Sequence, residues 1–358
     1  MRRPAAAFVL LILICAASPA QVNREDLLDP LPIRDQFLLS NGFFFFEPES
    51  ARVLAENESV IAMSAADSNT FAKSAWISRS EFGNRGRRAA LDELANSRFH
   101  LGGPVFLVDG ETHRLEIAMH RGLGRNLELG VTIPISTIGG GWADRLIEGV
   151  HRTLSIGNAN REAFRRNSET VYLQTATTQY VRERSVGYAL GDVAISGKYE
   201  LKSLEDRGIS MSVMGALELP TGDPQTLDGS GSLDGGLQLV ASRDFSRTRF
   251  HASLGILRLG SNGQLGTKPQ VLVTDTFGLS HLLSDRTSAE VQMTISESPF
   301  RDIGIAEFTR RSYQLSIGMQ RRIGRSLIAY AALIENVLSF ENSADAGVAW
   351  GVTFRPPG

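Results

Sequence analysis

The side chains that could do chemistry in this chain of 358 residues are few, and they are scattered. Six histidines are present: His100, His113, His120, His151, His251 and His281. None belongs to a His-Glu-x-x-His pattern, which sets two imidazoles one helical turn apart for zinc, and no Gly-x-Ser-x-Gly nucleophile elbow occurs. A hydrolase could still assemble Ser and His across neighbouring strands, and His120 or His251 beside polar strand faces is where to look. The plainer reading is that they are solvated polar residues, with His151 capping, packing or docking a helix. Asp228-Gly-Ser-Gly-Ser-Leu-Asp234 has the look of a calcium loop, but Leu239 stands where an EF-hand needs a bidentate Glu, so a flexible external loop is expected. Gly122 and Gly124 hint at a dinucleotide fingerprint whose third glycine would fall at Leu127, outside any βαβ unit. No catalytic, cofactor-binding or metal-binding residue is assigned, no cofactor is expected, and the chain does not read as an enzyme.

The ionisable residues make more sense as parts of strands. From Thr112 to Phe354, stretches of about ten to fourteen residues alternate apolar with small or polar side chains, and successive side chains of a strand face opposite ways. Leu127, Leu129, Val131, Ile133 and Ile135 oppose Glu128, Gly130, Thr132 and Ser136. Ile195, Tyr199 and Leu201 oppose Asp192, Lys198 and Glu200. Three ionisable groups on one strand face are costly in a dry core and ordinary in a watery lumen. Eleven such strands can be counted, joined alternately by short turns and long loops, as in a membrane barrel with turns on one side. Tyr330 is placed with Ile328, Ala332 and Ile334 on an outward face, and Trp350, Tyr313, Tyr199, Tyr330 and Phe354 are read as a membrane girdle.

Such barrels have an even strand number, so the N-terminal hundred residues must supply at least one more. The candidates are Phe37 to Phe46, Ser59 to Ala66, and Gly102 to Val108 before an Asp109-Gly110 hairpin turn. The expected fold is all-β: a closed antiparallel transmembrane β-barrel of about 12 strands, with 10 to 14 allowed. The Phe43-Phe-Phe-Phe46 run reads equally as an interfacial anchor or a buried strand, and Ala51 to Phe99 as loop, plug or disordered chain. After Gly139-Gly-Gly141, residues Trp142, Leu146, Ile147, Val150 and Leu154 recur at helical spacing, which gives a short amphipathic helix over 142–154.

The N-terminus points to export. Arg2 and Arg3 precede the apolar run Ala5 to Ile14, and Ser18-Pro19-Ala20 offers a cleavage site after Ala20. Cys15, the one cysteine, leaves with this leader. Its alternative role as a lipid anchor is disfavoured by the large Ile14 before it. No disulfide, thiol ligand or catalytic thiol then remains. No mature segment approaches the roughly 18 apolar residues of a spanning helix. The formal charge is −2, falling by two to −4 without Arg2 and Arg3, so nothing attracts nucleic acid. The expected organisation is a cleaved signal peptide at 1–20, a partly irregular segment at 21–101 giving one to three strands, and the main barrel region at 102–358.

Several segments resemble a known family. Leu31-Pro-Ile-Arg-Asp-Gln-Phe37, Asn41-Gly-Phe-Phe-Phe-Phe-Glu-Pro48, Asp109-Gly-Glu111 with Arg114, and Gly139-Gly-Gly-Trp-Ala-Asp-Arg-Leu-Ile-Glu148 with His151, Gly157-Asn158 and Arg161 are similar to the DUF3187 family of bacterial envelope proteins. The resemblance covers nearly the whole mature chain. Gly191-Asp192 and Leu219-Pro-Thr-Gly-Asp223 resemble motifs of wider outer-membrane barrel groups, including phenol-degradation-associated proteins. The resemblance implies a bacterial outer-membrane barrel of unassigned function and carries over no site residues. One departure is that Arg355-Pro-Pro-Gly358 follows Phe354, where insertion signals place a terminal aromatic. The functional expectation is a narrow pore for a small solute, or an envelope-structural protein. Asp192, Lys198, Glu200, Glu218, Gln238, Glu290 and Gln314 would line the lumen and tune selectivity. Expected partners are outer-membrane lipid, the barrel-assembly machinery and a small solute. The alternatives are an outer-membrane lipid-modifying hydrolase and a soluble periplasmic β-sandwich binding protein.

Overall fold

The computed structural model describes residues 22–74, 77, 103–145, 148–149, 152, 161, 164–182, 187–201, 208–338 and 341–356. Twelve strands close into an antiparallel ring: β1 (Ser59–Lys73), β2 (Val105–Gly122), β3 (Leu127–Gly139), β7 (Val193–Leu201), β8 (Ile209–Leu219), β9 (Asp234–Phe245), β10 (Thr248–Leu259), β11 (Gln270–Ser284), β12 (Thr287–Ser296), β13 (Ser312–Ile323), β14 (Leu327–Asn336) and β15 (Ala346–Phe354). Pairing of β1 with β15, from Ile61↔Phe354 to Asn69↔Ala346, leaves no open edge in the ring. Three short strands decorate it. The hairpin of β4 (Thr170–Gln174) and β5 (Gln179–Arg182) is added to the start of β2, and β6 (Ala189–Leu190) pairs with β3.

The wall is inside out relative to a soluble domain. Leu129, Ile195, Leu217, Leu237, Leu254, Phe277, Val291, Ile317, Leu333 and Trp350 are large, apolar and exposed, while Ser212, Gln238, Glu290, Gln292 and Ser316 on the alternate positions are buried. An outward apolar belt over an inward polar face is what a bilayer selects, because hydrocarbon replaces water outside. Among the described residues no helix is long and apolar enough to cross a membrane.

Among the described residues of the first hundred, one strand is found, β1, which contains the expected Ser59 to Ala66 run. The other two candidates are corrected. Asp109-Gly110 makes no hairpin turn: both residues lie inside β2, paired to Phe71 and Thr70 of β1. Gly110 makes a close approach there, where a Cβ would stand 3.1 Å from Leu38 Cδ1 and 3.3 Å from Gly139 O. Phe37 to Phe46 is neither strand nor interfacial anchor. It includes a short 3-10 turn at Leu38–Ser40 and lies buried inside the ring.

The facing of β14 is also corrected. Ile328, Tyr330, Ala332 and Ile334 point inward, and Leu333 points out. Alternation alone assigns the apolar set to lipid, but Leu31 and Ile33 from the N-terminal segment pack on Tyr330, Ala332, Ile334 and Ala349 and give those side chains an apolar cover indoors. The Asp228–Asp234 loop, expected to be flexible and external, is only partly outside: Asp228, Ser230 and Asp234 are buried and Leu233 is exposed. Asp144, Arg145, Glu148, Gly149 and Arg152 are helical within the expected 142–154 element, whose other residues after Ala143, His151 among them, lie outside the described residues, as do His100 and most of 75–102.

Candidate functional site

The lumen is the candidate site, and residues 22–58 fill it as an up-and-down hairpin. Val22 begins at the turn end, donating its N–H to Arg325 O at 2.9 Å. Phe37 and Phe43 reach the loop end, where their rings meet Phe300 at 6.0 and 5.7 Å, and Phe37 meets Phe308 at 5.7 Å. The chain then descends, and Asn57 N donates to Gly122 O at 3.0 Å, back beside the turns. Pro30, Pro32 and Pro48 lack N–H donors, which suits a chain that must not join the ladder.

The hairpin is held by apolar packing, in which Phe37, Leu38 and Phe43 to Phe46 cluster with Phe106, Leu257 and Phe300, and by polar contacts with the wall. Leu31 N donates to Glu290 Oε1 at 3.2 Å, and Gln36 N donates to Gln314 Oε1 at 3.0 Å. Gln314 Nε2 returns a bond to Arg34 O at 2.9 Å, and Ser288 Oγ donates to Leu27 O at 2.5 Å. At the turn end Arg249, only 1% exposed, bridges Asp29 at 2.7 Å and Asp244 at 2.5 Å. On the descending arm Lys198 stands 3.2 Å from both Glu49 and Glu128, and Glu128 accepts from Leu54 N at 3.0 Å. At the tip Asn41 Nδ2 donates to Ser136 Oγ at 2.9 Å and to Leu227 O at 2.8 Å. Glu128, Ser136, Glu290 and Gln314, strand side chains that would otherwise need water, thus meet matching donors and acceptors on a peptide.

Of the seven residues expected to line the lumen, Asp192, Lys198, Glu218, Gln238, Glu290 and Gln314 are buried on inward positions and Glu200 is part-buried. They do not bound an open channel, because Lys198, Glu290 and Gln314 bind the hairpin. The contribution of residues 22–58 was missed because their signal is the absence of a pattern: four consecutive Phe residues fit no strand alternation.

The histidines are placed in ionic surroundings. His120 Nδ1 lies 3.0 Å from Glu128 Oε1. His251 Nε2 lies 3.2 Å from Glu290 Oε1 without the alignment of a hydrogen bond. Among the described residues neither histidine is hydrogen-bonded to a serine hydroxyl. His281 is outward at the turn end and shares a 2.7 Å contact with Thr248 Oγ1.

A second polar cluster lies on the outer wall. Asp67, Glu111 and His113 bring three ligand-type atoms within 4.8 Å of one another. Their atoms are already engaged: Trp142 Nε1 donates to Asp67 Oδ2 at 2.8 Å, His113 Nδ1 lies 3.1 Å from the same oxygen, and Glu111 accepts from Trp142 N at 2.9 Å and Ala143 N at 2.6 Å. The cluster clamps the Gly-Gly-Trp turn against the barrel. Gly141 has φ +59, and a Cβ would come within 1.7 Å of the Glu111 carboxyl. Nearby, Asp345 bridges Arg161 at 3.0 Å and accepts from Phe71 N at 3.1 Å; burial pushes its carboxyl up to about 6, while Arg161 pulls the other way.

A closed barrel with an apolar belt, a polar interior and all its short turns at one end is an outer-membrane β-barrel in class. Comparison with solved structures agrees. The COG4313 outer membrane channel from Pseudomonas putida F1 is similar at a TM-score of 0.54 and 10% identity, over 87% of this chain and 100% of that one. A Pseudomonas aeruginosa FadL homologue (TM-score 0.37, 10% identity, 94% and 99% coverage) and the P. putida toluene transporter TodX (0.40, 7%, 85% and 91%) are more distant. No curated protein sequence matches the chain. The profile of DUF3187, described as a protein of unknown function, matches residues 102–355, and the chain belongs to that family.

Proposed function

We propose that the protein is an outer-membrane transport barrel for a small solute, normally shut by its own N-terminal hairpin. The observation that carries this reading is the character of the hairpin's seat. The hairpin is a separate segment that joins no ladder, and beside its apolar clusters with the wall it is held by buried Glu and Gln side chains that bind its backbone and by Lys198 and Arg249 that bind its carboxylates. Because the hairpin contributes no strand, displacing it leaves the ladders of the ring intact. Twelve strands enclose a narrow lumen. Displacing the hairpin would expose a lumen lined by Lys198, Glu218, Gln238 and Glu290, whose charges would select among solutes.

Export by the 1–20 leader, insertion by the barrel-assembly machinery and residence among outer-membrane lipids are part of this proposal. Nucleic acid and catalysis have no place in it. Planar-bilayer recording tests the reading. The full chain should conduct rarely, and a variant lacking residues 22–55 should conduct continuously. A folded barrel that passes no current after this deletion would overturn it in favour of an envelope-structural role.

A further inference from the structure

The wall's own charges are not spread evenly along the lumen. In the turn-end half, inward Glu128, Glu200, Asp244 and Glu290 stand among Lys198, Arg249, Arg322 and Arg355, so acids and bases balance in number. The loop-end half is different. Arg114 is the one base on the ring's inward positions there among the described residues, and it pairs with Glu116 at 2.7 Å. Asp192, Glu218 and Asp234 are acids in excess of that pair. Glu218 and Asp234 are cross-strand partners on β8 and β9, and Asp192 stands just before β7, where Val193 pairs with Leu219. Asp192 accepts from Gly222 N and Ser230 N, and Asp234 from Gly260 N, all at 2.7 Å, while none of the three forms an ion pair among the described residues. Amide donors hold a carboxylate in place without cancelling its charge.

The shut barrel sets a cation of its own against this acidic half. Of the hairpin's three arginines, Arg24 and Arg52 lie at the turn end, on Asp285 at 3.7 Å and Glu25 at 2.6 Å, and Arg34 alone reaches the loop-end half. Its side chain lines, with Glu116, Asp192 and Glu218, a cavity of about 60 Å³, and its guanidinium carbon stands 5.4 Å from the centre of the Phe45 ring. Arg34 leaves with the hairpin, as do Asp35 and Glu47, and the three wall acids stay. Water entering the emptied lumen solvates them, and a solvated Asp or Glu is ionised at neutral pH. A narrow wet channel between low-dielectric walls focuses their field, and such carboxylates favour cations. No ligand geometry is needed, because the field of an exposed charge reaches about 8 Å at physiological salt. We propose that the open lumen admits small organic cations of the amine or guanidinium class, drawn in at the loop end by Asp192, Glu218 and Asp234, and that the guanidinium of Arg34 holds their place while the barrel is shut. The inference rests on the transport reading and adds the sign of the solute.

Reversal potentials of the full chain in planar bilayers, read from its openings under a KCl gradient, test the assignment. Ile33→Asn, which sets an uncharged amide against the apolar face of β14, supplies further openings without adding charge. K⁺ should be preferred over Cl⁻ by about tenfold, and guanidinium chloride in place of KCl should carry cation current as well. Glu218→Gln and Asp234→Asn should each lower the preference and together bring it close to parity, whereas Asp275→Asn, on the outward face of β11, should leave it unchanged. Heat-modifiable gel mobility reports assembly of each variant, and the single replacements on two strands test the assignment even where the double variant assembles poorly. Openings that favour Cl⁻ or neither ion, that refuse guanidinium, or whose preference survives both replacements would overturn the proposal and leave the transport reading standing. A chain without openings in either form, wild type or Ile33→Asn, would overturn both.

Discussion

At the scale of single residues, buried charges decide how firmly the hairpin is seated. Lys198 is the sole cation within 4.0 Å of Glu49 among the described residues, and one of two groups matched to Glu128. Replacing it by Met removes one member of a desolvated set and leaves uncompensated carboxylates, which typically costs about 3 to 5 kcal/mol. Lys198→Met should therefore lower the thermal midpoint in detergent and raise protease cleavage between residues 48 and 58, read by mass spectrometry. Asp345 supplies a pH-dependent counterpart at the outer rim. Its folded carboxyl sits near 6, above the ordinary 3.8, so the folded state holds its proton more tightly than the unfolded one does. The stabilisation is present below about pH 4 and is lost as pH rises towards 6. The thermal midpoint in detergent should fall as pH rises from about 4 to 6, and Asp345→Asn should flatten that part of the dependence.

At the scale of elements, each strand has two faces with different solvents, and substitutions on adjacent residues should behave differently. Leu239 of β9 points outward and Gln238 points inward. Leu239→Arg places a charge against lipid at a cost of about 2 to 4 kcal/mol near the bilayer midplane. Unfolding in lipid vesicles should show that loss, while Leu239→Phe should be nearly neutral. The β14 strand is the informative exception. Its sequence carries the same alternation as its neighbours, yet its apolar residues Ile328, Tyr330, Ala332 and Ile334 face the hairpin. Ile33→Asp, which would bury a carboxyl against that face, should release the ascending arm without opening the sheet. Circular dichroism would stay β-rich while cleavage in 22–40 rises.

At the scale of the whole molecule, the closed sheet and its occupant are separable. The ring is held by continuous ladders from β1 round to β15, and the hairpin contributes no strand to it. Deleting 22–55 should thus leave a detergent-extractable barrel with heat-modifiable mobility, and a chain that no longer forms a barrel after that deletion would refute this separation. Much of the ring was legible in the sequence, because a period of two needs only neighbouring residues to declare itself, and short turns alternating with long loops expose the strand parity. Leu127 to Ser136, Ala289 to Ser296 and Tyr313 to Gln320 are found where their alternation puts them. The even-number rule then required an N-terminal strand, and β1 supplies it. The occupant was not legible. Leu31, Arg34, Phe37 and Phe43 meet partners more than 200 residues away, such as Glu290, Gln314 and Phe300, and irregular backbone has no period to reveal it. The sequence by itself determined a wall of about twelve strands with lipid outside and polar groups inside, since the alternation is local, but not the facing of β14. Only the tertiary structure decided what those polar groups meet, because a lumen can be satisfied by water or by the chain's own backbone, and the side chains of the wall are the same in either case.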